Sequence, residues 1–492
     1  MAAEHKSEHV DSEHVDVLIV GAGLSGIGVA SHLRRRLPGK SYAILEGRGA
    51  IGGTWDLFRY PGVRSDSDMF TLGYAHKPWV GAKSIADGES IREYIREAAR
   101  ESGADERIRF HHRVVSAEWS SAEARWTVTA ERSDTGETAV FTCSFLFTCT
   151  GYYRYEHGYT PDFPGADEFE GALVHPQLWP RDLDYSGKKV VVIGSGATAV
   201  TLVPSMAGTA EHVTMLQRSP SYVLTLGARD PIADRLRKLL PARAAYAATR
   251  WKNVLTATLF YQLSKRKPKL VKDFLRKDAT RRLPEGFAVD THFKPRYDPW
   301  DERVCFVPNG DLFRALREGA ASIVTDRIKT FTRTGIELES GEHLDADVIV
   351  TATGLDVLML GGMTVTVDGE KVDPASRVAY KGAMLGGVPN AALAIGYTNA
   401  SWTLKIDLVA QYVCRLLKHM DDTGNRVVTP REPDASIERV PFLDLQSGYV
   451  RRAADRMPRQ AARAPWRLRQ NYPADVRTLR YGPVTDEVEF SR

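Results

Sequence analysis

The residues Val15-Asp16-Val17-Leu18-Ile19-Val20-Gly21-Ala22-Gly23-Leu24-Ser25-Gly26 decide the fold. A short apolar run of strand type meets a G-x-G-x-x-G turn. Apolar positions at Leu24, Ile27, Ala30, Leu33 and Leu37 then keep helical spacing until Pro38-Gly39 stops them. A second apolar run, Tyr42-Ala43-Ile44-Leu45, ends on Glu46. Gly21, Gly23 and Gly26 let the chain turn tightly and bring a pyrophosphate against the backbone at a helix N-terminus. An acid about 20 residues on accepts hydrogen bonds from a ribose hydroxyl. Glu46 repels a 2′-phosphate, so this unit suits FAD or NAD.

The pattern returns at Val190-Val191-Val192-Ile193 followed by Gly194-Ser195-Gly196-Ala197-Thr198-Ala199, with Ala199 in place of the third glycine. The next strand, His212 to Gln217, ends on Arg218-Ser219, and a cation with a hydroxyl at that place suits a ribose 2′-phosphate. This second unit is expected to bind NADPH. Two dinucleotide sites of opposite preference imply electron transfer from NADPH to a bound flavin.

The expected architecture is α/β, with two Rossmann-like dinucleotide-binding domains. Residues 15–155 and 355–492 would form the FAD domain and residues 156–354 the NADP domain. A helical insertion at about 225–285 would sit on the NADP domain. Residues 1–14, which carry Ser-Glu-His-Val-Asp at Ser7 and most of a second copy from Ser12, read as a disordered tail.

Composition narrows the classes further. The chain has 492 residues, 43% hydrophobic and 26% charged, the profile of a soluble multidomain protein. Its 66 basic and 62 acidic residues leave +4, which argues for no nucleic-acid or other polyanion partner. Cys143, Cys149, Cys305 and Cys414 form no C-x-x-C pair, which excludes a flavin disulfide reductase and fits reduced thiols in a cytoplasmic protein. No secretory profile opens the chain, and no uncharged apolar stretch of about 18 residues predicts an integral membrane segment. The one dense basic run, Ser264 to Lys269, reads as a solvated face of the helical insertion, interrupted by Pro268. Trp79, Trp251, Trp300 and Trp402 are expected mostly in the core, and Trp402 is also a candidate for the pocket lining.

Phe169-Glu170-Gly171-Ala172-Leu173-Val174-His175-Pro176-Gln177-Leu178-Trp179-Pro180 fits F-x-G-x-x-x-H-x-x-x-W-P in full, just before the second glycine turn. It resembles the signature of type I Baeyer–Villiger monooxygenases. Gly52 to Gly62, Arg64 to Met69, Val307 to Ala315 and Gly396 to Thr403 extend the resemblance over nearly the whole chain. The resemblance implies an FAD- and NADPH-dependent monooxygenase. It would use O₂ to insert one oxygen into small ketones or to oxidise thioethers, through a peroxide at flavin C4a.

Carried over by position, the resemblance implies FAD contacts at Ser25, Glu46, Thr54, Trp55, Asp56, Leu57, Asp66 and Val114. It implies NADP contacts at Arg64, Ser65, Asp66, Gly194, Ser195, Gly196, Ala197, Thr198, Ala199, Val200, Arg218 and Ser219. Arg303 falls at the family's active-site arginine, with Asp66 as its orienting partner, while His175 is given a structural or hinge role. Many members have a lysine just before that arginine. Here the residue is Glu302, which leaves Arg218 as the main phosphate ligand. Cys149-Thr150-Gly151-Tyr152 and Thr351-Ala352-Thr353-Gly354 resemble the paired linkers between the two domains. The competing reading is an NADPH-dependent flavoprotein reductase that passes electrons to a protein partner.

Overall fold

The computed structural model describes residues 13–492. Its first sheet is built around five parallel strands, Ile108–Arg109, Tyr42–Leu45, Glu13–Val20, Thr138–Thr148 and Ala391–Leu393. Val17 to Val20 are almost wholly buried, as a central parallel strand covered on both faces demands. Glu13 and His14, expected in the disordered tail, pair with Phe141 and Thr142 in the sheet, and the rest of that expectation, residues 1–12, lies outside the described residues. The long strand Thr138–Thr148 also pairs antiparallel with Arg125–Arg132, which pairs in turn with His112–Ser120.

A second sheet is entirely parallel, in the order Ala321–Thr325, His212–Gln217, Lys189–Ile193, Val348–Thr351, Ala172–Val174. Each sheet carries one of the two glycine turns at the end of a central strand. The two-Rossmann fold read from the sequence is therefore the fold observed. The chain returns to the first sheet after the second, and the helix Trp402–Thr423 packs along the first helix, Leu24–Arg36.

Three helices, Pro231–Leu239, Ala242–Arg266 and Pro268–Arg282, lie between the paired strands Tyr222–Leu226 and Val304–Pro308 of the second unit. They do not simply sit on that unit, as the sequence suggested. The middle helix leans on the first one. Its Arg250, 6% exposed, donates to the carbonyls of Phe70 (2.8 Å) and Gly73 (2.6 Å) and to Oδ2 of Asp407 (3.2 Å). Asp407 also accepts from the Ala75 amide at 3.0 Å and contacts His32 Nε2 at 3.0 Å. The arginine is drawn there because three carbonyl and carboxylate acceptors would otherwise be buried unpaired. His32, His76 and Asp407 have donor atoms within 4.8 Å of one another, but Asp407 already serves a guanidinium, which would repel a metal ion at that place.

This cluster has a pH signature. Burial, the largest cause, holds His76 down to about 4 against the opposing pull of Asp407. In the unfolded chain the same imidazole titrates near about 6.5. The unfolded state therefore binds the extra proton first, and stability is lost as pH falls from about 6.5 towards 4. The loss stays below about 4 kcal/mol. Urea unfolding midpoints across that range should decline in the wild type, and His76→Asn should flatten the slope.

Candidate active site

The first glycine turn is shaped by its surroundings. Gly21 has φ +106°, and a Cβ on it would lie 2.6 Å from the Cys149 carbonyl oxygen. Its amide donates to Leu45 O at 2.7 Å, which closes the strand against its neighbour. The helix then starts at Leu24 with Gly23 as a cap that offers no side-chain acceptor. Its first amides are left for an anion, as a pyrophosphate requires. The second turn repeats this: Gly194 has φ +140°, and Gly196 caps the helix Ala197–Met206 without a side-chain bond. Ala197, Thr198, Ala199 and Val200 form that helix's first turn. These uncapped helix starts fit the phosphates of two dinucleotides.

Glu46 is buried, with Oε2 accepting from the Ala22 amide (2.7 Å) and Oε1 from Arg48 (2.9 Å). Burial raises its pKa, and the two amides oppose that rise. The His112 amide donates to the Glu46 carbonyl at 2.9 Å, which places Val114, two residues on and buried, beside the same corner. Thr54, Trp55, Asp56 and Leu57 form one short helix turn behind Gly53. Asp56 is buried, with Oδ2 2.8 Å from Arg48 and Oδ1 2.7 Å from Arg59 and 3.5 Å from Arg92. Both of its oxygens are thus taken by arginines, and its carboxylate orders a cationic wall next to the turn. Ser25 is also buried, and its Oγ accepts from the indole N–H of Trp402 at 2.8 Å.

The segment after that turn links the two units. Phe58, Tyr60 and Val63 pack into the core of the second sheet. Gly62, at φ +76°, lies so close to the helix Ala197–Met206 that a Cβ would fall 1.8 Å from Ser205 Oγ. Arg64 forms an ion pair with Asp311 at the start of the helix Asp311–Arg317. Ser65 is buried, its hydroxyl without a hydrogen-bond partner among the described residues. Asp66 then meets Arg303, with Nη1 3.5 Å from Oδ2. Two residues 237 positions apart are thereby brought together between the glycine turns.

Arg303 is held charged, well above its ordinary value. Tyr449 contributes most to this, burial opposes it, and Tyr152, Tyr153 and Asp66 add to it. The Tyr153 hydroxyl donates to that of Tyr152 at 2.8 Å, and the Tyr152 ring stacks on Trp402 with centroids 5.1 Å apart. The Tyr449 hydroxyl is buried without a partner among the described residues. A continuous chain of side chains, Ser25–Trp402–Tyr152–Tyr153, therefore runs from the first glycine turn to the two tyrosines whose electrostatics act on Arg303. Sequence reading missed Tyr152, Tyr153 and Tyr449 as site residues. The turn carrying Arg303 is braced from the insertion, where Lys265 Nζ lies 2.8 Å from Asp301 Oδ1. Next to it opens a cavity of about 910 Å³, lined by Tyr261 and Gln262 of the middle insertion helix and by Leu443, Val450 and Arg451.

At the other corner, Ser195 Oγ donates to Ser219 O at 3.0 Å and lies 2.9 Å from Ser221 Oγ. Arg218 is exposed and has no carboxylate within 4.0 Å among the described residues. Glu302 is raised above its ordinary value by burial, against the pull of Arg218 and Arg451. The acid in the family's lysine position therefore acts on the same corner as Arg218. His175 ties both linkers together: its Nε2 meets Gly354 O at 3.1 Å and its Nδ1 accepts from the Gln177 amide at 3.2 Å. Gln177 in turn donates to Arg154 O at 2.7 Å. Burial lowers the His175 pKa, which favours the neutral ring this hydrogen-bond pattern needs.

A flavin-binding monooxygenase-like family model matches residues 84–372, and an NAD(P)-binding Rossmann-like domain model matches residues 19–77. The chain is 57% identical to the FAD-containing monooxygenase EthA of Mycolicibacterium smegmatis, over 97% of this chain and 96% of that protein. It is 54% identical to the protein of that name from Mycobacterium tuberculosis, over 97% of each. Among solved structures, an oxidised steroid monooxygenase bound to NADP superposes with a TM-score of 0.78 at 22% identity, covering 97% of this chain and 99% of that one. OTEMO in complex with FAD and NADP gives 0.75 at 21%, covering 98% and 100%. At these identities the structures speak for the fold alone.

Proposed function

Because the chain belongs to the flavin-binding monooxygenase-like family, we propose that Arg303 and Asp66 form the centre at which it oxygenates a small ketone or thioether. The chain is an FAD- and NADPH-dependent monooxygenase, of the kind its relatives are named for. The observation that carries the site assignment is the Arg303–Asp66 contact at 3.5 Å, between two uncapped helix starts.

The bound flavin, reduced by NADPH, supplies the activated oxygen. The protein's own groups do the rest. The Gly21–Gly26 turn holds the flavin's pyrophosphate and Glu46 its ribose. The Gly194–Ala199 turn, Arg218 and Ser219 hold the nicotinamide dinucleotide. As oxygen adds to the substrate's carbonyl carbon, negative charge grows on the carbonyl oxygen. The fixed guanidinium of Arg303 stabilises it without reorganising. Asp66 fixes where that guanidinium points, and Tyr152, whose charge acts on Arg303, is itself held by stacking on Trp402. The four buried free thiols suit work in the reducing cytoplasm.

Turnover of a methyl ketone or a thioether under ¹⁸O₂ tests the reading. One labelled oxygen in the ester or sulfoxide is expected; product without label would refute it. The departure at Glu302 gives a second expectation. Glu302→Lys should lower the KM for NADPH several-fold with kcat little changed, because the nearby acid repels the 2′-phosphate that Arg218 attracts. An unchanged KM would separate Glu302 from that corner.

A further inference from the structure

We propose that the helical insertion docks this enzyme on an anionic bilayer surface. Residues 231–282 hold fifteen lysines and arginines against three aspartates, a net +12 in a chain whose total is +4. Some of these cations are spent inside the fold, as with Arg250, Lys252, Lys265 and Lys272. Arg266, Lys267, Lys269 and Lys277 have no carboxylate within 4.0 Å among the described residues.

The same short region holds eight of the thirteen large hydrophobic side chains that are exposed among the described residues. On the middle helix Trp251 (41%), Leu255 (56%) and Leu259 (70%) recur every four residues on the face opposite the buried Tyr246 and Ser264. Trp251, expected in the core, is therefore part of an outward stripe. No charged residue occurs between Lys252 and Lys265, so the centre of that face is apolar and its ends are cationic. On the next helix Leu270 (56%) and Phe274 (51%) share a shallow depression with Arg266, Lys267, Lys269 and Lys277.

Water-facing stripes of this size are unfavourable in an isolated soluble protein. A leucine and tryptophan stripe with lysine and arginine at its margins matches the interfacial plane of a membrane, where apolar groups enter the acyl boundary and long cationic side chains reach the headgroups. A second copy of this chain would place like charges together. A nucleic acid would leave the apolar centre unmatched. Among the described residues no helix is long and apolar enough to cross a membrane, so the contact is peripheral. The cavity beside the Asp301 turn takes Tyr261 and Gln262 from this same middle helix. The proposal stands independently of the role given to Arg303.

Vesicle co-sedimentation of the holoenzyme at about 0.15 M salt tests it. Phosphatidylcholine vesicles containing phosphatidylglycerol should bring the protein down, and phosphatidylcholine alone should do so far less. Leu255→Glu with Leu259→Glu should cut the bound fraction at least about ten-fold, with flavin content and NADPH oxidation unchanged. If that variant fails to fold, Lys267→Glu with Lys269→Glu gives the same reading from exposed charges. Sedimentation with neither vesicle overturns the proposal. So does anionic binding untouched by both variants, tighter binding to single-stranded DNA than to vesicles, or a change from dimer to monomer in the leucine variant without any vesicle binding.

Discussion

Arg303→Ala should lower the rate of ketone oxygenation by about 100- to 1000-fold, the usual cost of removing one preorganised charge from a reaction in which an oxyanion develops. NADPH oxidation should continue, because most of the groups expected to hold the dinucleotide, Gly194 to Val200 with Arg218 and Ser219, lie on other segments than Arg303 and its partner Asp66. The two readouts must therefore separate: product falls while hydrogen peroxide rises. Asp66→Asn should show the same pattern more weakly, since Asp66 aims the guanidinium across 3.5 Å and does not itself supply the positive charge. Loss of NADPH oxidation together with product, at normal flavin content, would place Arg303 in dinucleotide binding instead.

The second large effect is structural. Asp407→Ala should destabilise the fold by about 3–5 kcal/mol, the cost of leaving a buried guanidinium without its carboxylate. Asp407 is 1% exposed and Arg250 6%, so water does not replace the lost partner. The urea midpoint should fall accordingly, and flavin should be retained poorly, because the Asp407 helix packs along the helix that leaves the first glycine turn. Arg250→Met combined with Asp407→Leu should be less damaging than Asp407→Ala alone, since it removes both charges together. A single-variant loss below about 1 kcal/mol would mean that the pair behaves as a surface ion pair.

The glycine turns were legible in the sequence because their chemistry is local. Strand, turn, helix and terminal acid follow one another within thirty-odd residues, and each residue type is dictated by backbone conformation or by the phosphate. Arg303 and Asp66 could be named from motif position, but their meeting depends on the Gly62 segment packing against a helix of the other unit, which no local pattern encodes. Tyr152, Tyr153 and Tyr449 come from a linker and from the C-terminal region. Each looks like an ordinary aromatic until the fold gathers them around one guanidinium. Arg250 reads as one more cation of a basic insertion, although it is the most thoroughly buried of them. Leu255 and Leu259 fail in the opposite sense. Their helical spacing is that of a core-facing stripe, and periodicity says which residues share a face without saying what covers it.

Oxygen transfer is measured most directly by the stoichiometry of a single turnover mixture. With a methyl ketone or thioether present, NADPH consumed, O₂ consumed and oxygenated product should match one to one, with little hydrogen peroxide. Full return of the electrons to hydrogen peroxide, whatever ketone or thioether is offered, would rule out an oxygenating centre at Arg303 and favour a reductase that serves a protein partner.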